Sequence, residues 1–163
     1  MTGRTPADDR TDRVTVAVSP DRHHHVVAAV DLAAGDVILT FDGVDSSAPD
    51  RFSIQLGASL HVAPPPEPER SANPGRYAWR FLNHSCAPNA AVVGRTLVAR
   101  CAIRAGAEVT LGYRTTEFEM AEPFRCRCGR CDGAVIRGFG ALSDAERRGL
   151  APWLADHLRD RIE

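Results

Sequence analysis

Cys126, Cys128 and Cys131 fall within six residues, in the run Phe124-Arg-Cys-Arg-Cys-Gly-Arg-Cys-Asp-Gly133. Three thiolates this close can share one Zn²⁺, which takes four soft ligands in a tetrahedron at about 2.3 Å from each sulfur. Gly129 supplies the tight backbone turn that such a knuckle needs. The fourth ligand must come from elsewhere, and Cys86 is the candidate. Its neighbours Asn83, His84, Ser85, Pro88 and Asn89 mark a special loop rather than a strand. Three reduced surface thiols with no metal would be a liability in the cell. Cys101 stands apart, inside an apolar run, and is expected to be a small buried hydrophobe. With no export signal, an odd count of 5 cysteines fits metal binding or buried thiols better than a disulfide framework.

The elements that must carry these residues read as mainly β. Val14, Val16 and Val18 alternate with small or polar residues, the period of a half-buried strand, and Ser19-Pro20-Asp21 closes it as a turn. Short β-type runs follow at Val26–Val27 with Val30, Val37–Phe41, Phe52–Leu56, Leu60–Val62, Ala91–Val93, Thr96–Ile103 and Val109–Leu111. Gly, Pro, Asp and Asn punctuate them, and many short strands at close spacing argue for several small sheets. Residues 63–75 hold five prolines and are expected to form an extended surface loop. After Cys131 the pattern turns helical. Ser143-Asp-Ala-Glu146 is a capping box, Leu150, Trp153, Leu154 and Leu158 recur at helical spacing, and Pro152 divides the stretch into two short helices. Residues 1–12 are polar and aperiodic and are expected to form a disordered arm.

A chain of 163 residues has room for one ordinary domain and not for two. Its 20 basic and 21 acidic residues leave a net charge of −1, so nothing global points to nucleic acid as a direct partner. Every basic residue is Arg, and there is no Lys. No run approaches the length of a membrane span and the first dozen residues lack a signal peptide's apolar core, so a soluble, cytoplasmic location is expected.

Arg80-Phe-Leu-Asn-His-Ser-Cys-Ala-Pro-Asn89 resembles the RFxNHSCxPN signature of the SET-domain protein-lysine methyltransferases. Ile103-Arg-Ala-Gly-Ala-Glu-Val-Thr-Leu-Gly-Tyr113 is similar to their second motif, Asp31–Ile38 to their first β element, and the cysteine cluster to their post-SET zinc knuckle. The resemblance covers about residues 13–140, with its motifs in the family's order. It implies a β-clip, SET-like fold: several small sheets around a threaded segment containing Asn83 to Cys86, with short C-terminal helices. The implied division is a SET domain over 13–115, a post-SET zinc knuckle over 116–140 and C-terminal helices over 141–163. It further implies S-adenosylmethionine (SAM) as cofactor, one structural zinc on Cys86, Cys126, Cys128 and Cys131, and a lysine-containing protein or peptide as substrate.

By the same resemblance Tyr113 is the catalytic tyrosine, its hydroxyl orienting the amine and accepting weak C–H···O contacts from the methyl. Asn83 and His84 take the adenine and methionine moieties, largely through backbone and amide groups. Arg80 lines the cofactor, and Phe124 covers the adenine. The attacking amine must be neutral. A free lysine of pKa about 10.4 costs roughly 4 kcal/mol to deprotonate near neutral pH, and a dry channel beside a sulfonium charge lowers that cost.

Four departures bear on the chemistry. The family's Gly-x-Gly loop falls on His23-His24-His25, so either the loop has changed shape, leaving solvated histidines, or imidazoles of His24 and His25 contact the methionine carboxylate. Leu111 stands where the family has Phe or Tyr, which leaves a roomier apolar site expected to permit more than one methyl transfer. The knuckle is two residues tighter than the common C-x-C-x4-C spacing, and Phe52 stands where Tyr is frequent. Two other functions are compatible with these residues. One is a catalytically degenerate SET module acting in protein binding; the other is a SAM-dependent enzyme on a small-molecule amine, which the short Pro-rich stretch would suit. Glu117, Glu119 and Glu122 are expected as a solvated acidic segment that could steer a basic peptide. Oligomeric state is left open.

Overall fold

In the computed structural model, residues 12–162 are described; the expected arm lies, but for Asp12, outside them. Over the described residues the chain is mainly β, in four small sheets, with most of its helical residues after the last strand. β1 (Val14–Val18) and β2 (His24–Ala28) form an antiparallel hairpin, with Val16 opposite Val26. β3 (Val37–Thr40) follows. β4 (Val44–Ser46), β5 (Ile54–Gly57) and β6 (Leu60–Ala63) make a three-stranded sheet with β6 in the middle. The Pro-rich stretch is not wholly extended: Glu69–Ala72 forms one helical turn, α1, where the four residues between Pro68 and Asn73 are free of proline. It carries Glu69, whose carboxylate accepts the buried Tyr77 hydroxyl at 2.7 Å.

The largest sheet holds the segment that matters most. β7 (Asn83–His84), β8 (Ala90–Val93), β9 (Thr96–Ala99) and β10 (Thr110–Leu111) join β3 in the order β3-β9-β8-β10-β7. β10 runs parallel to both β7 and β8, with Leu111 opposite His84 on one side and Ala90 on the other. A late strand therefore inserts between two strands only six residues apart in sequence, and this is the threaded arrangement. Parallel neighbours need a long connection, and residues 94–109 supply it.

The main core, of strand residues such as Val26, Ile38, Val62, Leu97 and Leu111 with Phe41 and Val109 beside their strands, includes Trp79. Past β10 the chain forms β11 (Phe124–Arg125) and β12 (Val135–Ile136), an antiparallel pair that brackets the cysteine run. α2 (Asp144–Leu150) begins with the expected capping box at Ser143 and Glu146. A 3₁₀ turn with Pro152 separates it from α3 (Asp156–Arg159). Leu154 and Leu158 close a second small core over Phe139. Among the described residues no helix is long and apolar enough to cross a membrane.

Three further expectations are corrected. Asn83 and His84, expected in a loop rather than a strand, form β7, because β10 pairs alongside them. Cys101 is exposed rather than buried, because β9 ends at Ala99 and the chain turns outward before Ile103 bridges back to Leu32. Glu117 is buried, 7% exposed, and not part of a solvated segment, because it serves as an internal acceptor. Glu119 and Glu122 are exposed.

Candidate functional site

Four sulfurs converge from two distant segments. The Sγ atoms of Cys86, Cys126, Cys128 and Cys131 all lie within 4.8 Å of one another. Cys86 and Cys126 are 3.9 Å apart, sulfur to sulfur. Tetrahedral zinc at about 2.3 Å from each thiolate requires edges of about 3.8 Å, so the donor set fits Zn²⁺ in kind, number and spacing. Backbone amides aim at the same sulfurs: Arg130 N–H at 3.3 Å from Cys128, Cys128 N–H at 3.4 Å from Cys126, and Cys86 N–H at 3.5 Å from Cys128. The Cys86 and Arg130 amides pull the Cys128 thiol down to about 6, whereas burial pushes Cys86 and Cys126 up. Four thiolates this close need a cation to ionise together.

Tyr113 opens a 3₁₀ turn, Tyr113–Thr115, directly after β10. Its hydroxyl donates to the carbonyl of Leu82, and its backbone N–H donates to His84 Nδ1 at 3.0 Å. The rings of His84, Tyr113 and Phe124 meet edge to face, with centroids 5.3 to 5.9 Å apart. The structure thus brings together Tyr113, His84, Phe124 and the cysteine tetrad. Burial, with Glu117 and Glu108 nearby, raises the Tyr113 hydroxyl to about 12, so at neutral pH it is a neutral phenol. Burial, with Arg114 adding to it, lowers His84 to about 4, so its imidazole is neutral.

Asn83 is exposed and spends its amide on Glu108 at 2.9 Å. Arg80 and His24 meet on another ring: the guanidinium lies 4.4 Å from the centroid of Phe81, and the His24 ring stacks on Phe81 at 4.8 Å with 20° between planes. His24 rests on that phenyl ring and is still exposed to solvent. His25 turns its Nδ1 toward the His23 carbonyl, 3.5 Å away. Arg80 Nε is buried with no hydrogen-bond partner among the described residues. A buried donor of this kind fits a ligand with an anionic end, such as the carboxylate of SAM.

The sequence reading missed the loop that follows Tyr113. Gln55 N–H donates to Glu117 Oε1 at 2.9 Å, and Phe118 N–H donates back to Gln55 Oε1 at 2.8 Å. This reciprocal clamp ties the loop after Tyr113 to β5. Gln55 alternates with apolar neighbours in a strand, and a Gln in that position was the only available hint. The loop also pairs with the chain returning from the knuckle, where Phe139 N–H meets the Glu117 carbonyl and Gly140 N–H meets that of Phe118, both at 2.8 Å. Gly138 permits the approach. Its φ is +111°, and a Cβ there would stand 2.6 Å from the Phe118 oxygen.

The family model described as the SET domain matches residues 23–114. Among curated proteins, the relative "Methyltransferase flvH" of Aspergillus flavus is 32% identical over 89 residues, 50% of this chain and 48% of the relative. The chain therefore spans about half the length of the relative it matches.

Proposed function

This chain belongs to the SET-domain family, and from that premise we propose that it is a SAM-dependent N-methyltransferase acting on the lysine side chain of a protein or peptide. The observation that carries the reading is the state of Tyr113: a half-buried, neutral hydroxyl held against the Leu82 carbonyl beside the threaded segment. SAM, when bound, supplies an activated methyl on a sulfonium. The residues of the chain position and desolvate. Arg80, with its unpartnered Nε–H, and His24 on Phe81 are placed to receive the amino-acid end of the cofactor. Phe124 and the backbone of Asn83 and His84 are the proposed adenine contacts. Tyr113 orients the neutral amine as a phenol; as a phenolate it would favour the ammonium form, which cannot attack. The thiolate cluster, loaded with zinc, ties the knuckle to Cys86 and keeps Phe124 against Tyr113. The aliphatic Leu111 in the motif leads us to expect products with more than one methyl.

The printed name of the Aspergillus flavus relative supports methyl transfer as the reaction class. A second reading, a binding module without transfer, is favoured by the His23–His25 replacement of the glycine loop. Titration calorimetry of zinc-replete protein with SAM and with S-adenosylhomocysteine separates the two. Binding at about micromolar Kd, roughly −8 kcal/mol, is expected, and no binding up to millimolar in folded, metal-loaded protein rejects transfer. In a screen of basic proteins and small amines with labelled SAM, Tyr113→Phe is expected to keep SAM affinity and lose turnover. Turnover that survives the substitution unchanged sinks the role given to the hydroxyl, and acceptance of free amines alone would move the substrate to a small molecule.

A further inference from the structure

We infer that His84 is a positioning residue that couples the thiolate cluster to the backbone of Tyr113, through one ring nitrogen on each side. The inference rests on the reading above for the importance of Tyr113, while the link itself stands on geometry. Tyr113 is the first residue of a 3₁₀ turn, and its N–H has no acceptor inside that turn. The preceding Gly112 has no side chain to cap it. His84, opposite Leu111 in the parallel β7–β10 pair, fills that place with Nδ1 at 3.0 Å.

A ring nitrogen that accepts from a backbone amide carries no proton, so the proton of the neutral ring sits on Nε2. Nε2 lies 3.4 Å from Cys86 Sγ, and an N–H···S contact to a metal-binding thiolate follows. Such an outer contact fixes the tautomer and orientation of the imidazole. Arg114, the residue after Tyr113, reaches the same sulfur with Nη2 at 3.7 Å. The hydroxyl end of Tyr113 is held by Leu82 and its amide end by His84, two positions on one segment. A metal clamp on Cys86 fixes the knuckle, Arg114 ties the same sulfur to the turn by its side chain, and His84 ties it to the Tyr113 backbone itself. Through His84 the state of the thiolates is felt at the Tyr113 amide.

The asparagine and glutamine substitutions separate the two halves. The terminal atoms of Asn fall near Nδ1 and those of Gln near Nε2, so His84→Asn keeps an acceptor for Tyr113 N–H and loses the donor to Cys86. His84→Gln does the reverse. In zinc-loaded protein, ¹⁵N NMR is expected to show the Nε2–H tautomer of wild-type His84. Amide exchange at Tyr113 is expected to speed up by about tenfold in His84→Gln, the scale of one lost hydrogen bond, and by much less in His84→Asn. In cobalt-substituted protein the thiolate-to-cobalt charge-transfer band should shift in His84→Asn and hold in His84→Gln. An Nδ1–H tautomer in the wild type overturns the inference, as does equal Tyr113 exchange in the two variants. Should either variant not fold, the wild-type tautomer decides alone. None of these readouts needs SAM, so an absence of methyl transfer would leave them standing.

Discussion

Glu117→Gln removes a buried charge and keeps its shape, which makes it a direct probe of the clamp between β5 and the loop after Tyr113. Burial raises the Glu117 carboxyl from 4.5 to about 7, against the pull of hydrogen bonds from Gln55 N–H and the Thr116 hydroxyl. In the unfolded chain the group ionises near 4.5, while the folded protein retains its proton until about 7. Within that window the unfolded state binds fewer protons, so stability falls as pH rises and levels off above the folded value. Carrying the two values through the linkage relation gives a loss of about 2–3 kcal/mol between pH 5 and pH 8. Tyr113 is a neighbouring group, and a cavity of about 190 Å³ beside the clamp partners Gln55 and Phe118 is lined by His61, His157, Glu119 and Arg161. Burial lowers both histidines, so their contribution is lost as pH falls, with the opposite sign, and it is common to wild type and variant. Urea unfolding of both proteins from pH 5 to pH 8 measures the difference. The variant is expected to gain on wild type by that 2–3 kcal/mol across the range; a constant offset from the new amide leaves the slope untouched. Parallel stability curves, within about 0.5 kcal/mol of a constant separation, would refute the account of Glu117 as a buried, unwillingly ionised acceptor.

Cys128→Ser should weaken zinc binding by more than the roughly 10- to 100-fold typical of losing a group that only supports a ligand, and lower the thermal midpoint; competition with a chromophoric chelator measures the first. Gly138→Ala should cost about 1–3 kcal/mol in urea unfolding, because a Cβ at 2.6 Å from the Phe118 oxygen forces the knuckle off the Tyr113 loop. Arg80→Gln should weaken SAM by roughly 10- to 100-fold, the scale of a hydrogen bond between charged groups. It should leave methylthioadenosine, which has no carboxylate, nearly unaffected; equal losses for both ligands in calorimetry would remove Arg80 from the carboxylate.

The cysteine set was legible because metal chemistry restricts it to few residue types at short spacing, and Cys86 was marked by the polar run around it. Strands with clean alternation, such as Val14–Val18, were legible for the same kind of reason. β7 was not, since two residues cannot display a period, and its pairing with β10, which lies inside the expected run Val109–Leu111, is set by contacts between residues 83 and 110. Cys101 misleads because its apolar run continues past Ala99 in the sequence, where the chain turns out. Glu117 misled because composition places three acids in one segment and cannot tell which of them faces inward. His24 was singled out for the missing glycines, but its stacking on Phe81 depends on a residue 57 positions away, beyond any local pattern.

That limit explains how the site is built. Among residues 119–135 only Cys126 is buried, so the knuckle has almost no core of its own to offset the entropy of ordering it. The sheets that bear Tyr113 have a core of nineteen buried residues, none of them from the knuckle. Two bodies of such different cohesion can share a site only if specific groups bridge them. The bridges are the Cys86 thiolate in the tetrad, the His84 ring between that thiolate and Tyr113, and the backbone pairing of Glu117 and Phe118 with Phe139 and Gly140. Each bridge starts within five residues of Tyr113 or of His84. Loosening the metal is therefore expected to disturb Tyr113 and Phe124 well before it disturbs the sheets. Loss of the Tyr113–Phe124 ring geometry at low chelator, ahead of loss of β-sheet circular dichroism, is the order this arrangement dictates, and coincident loss would mean that knuckle and sheets form one cooperative unit.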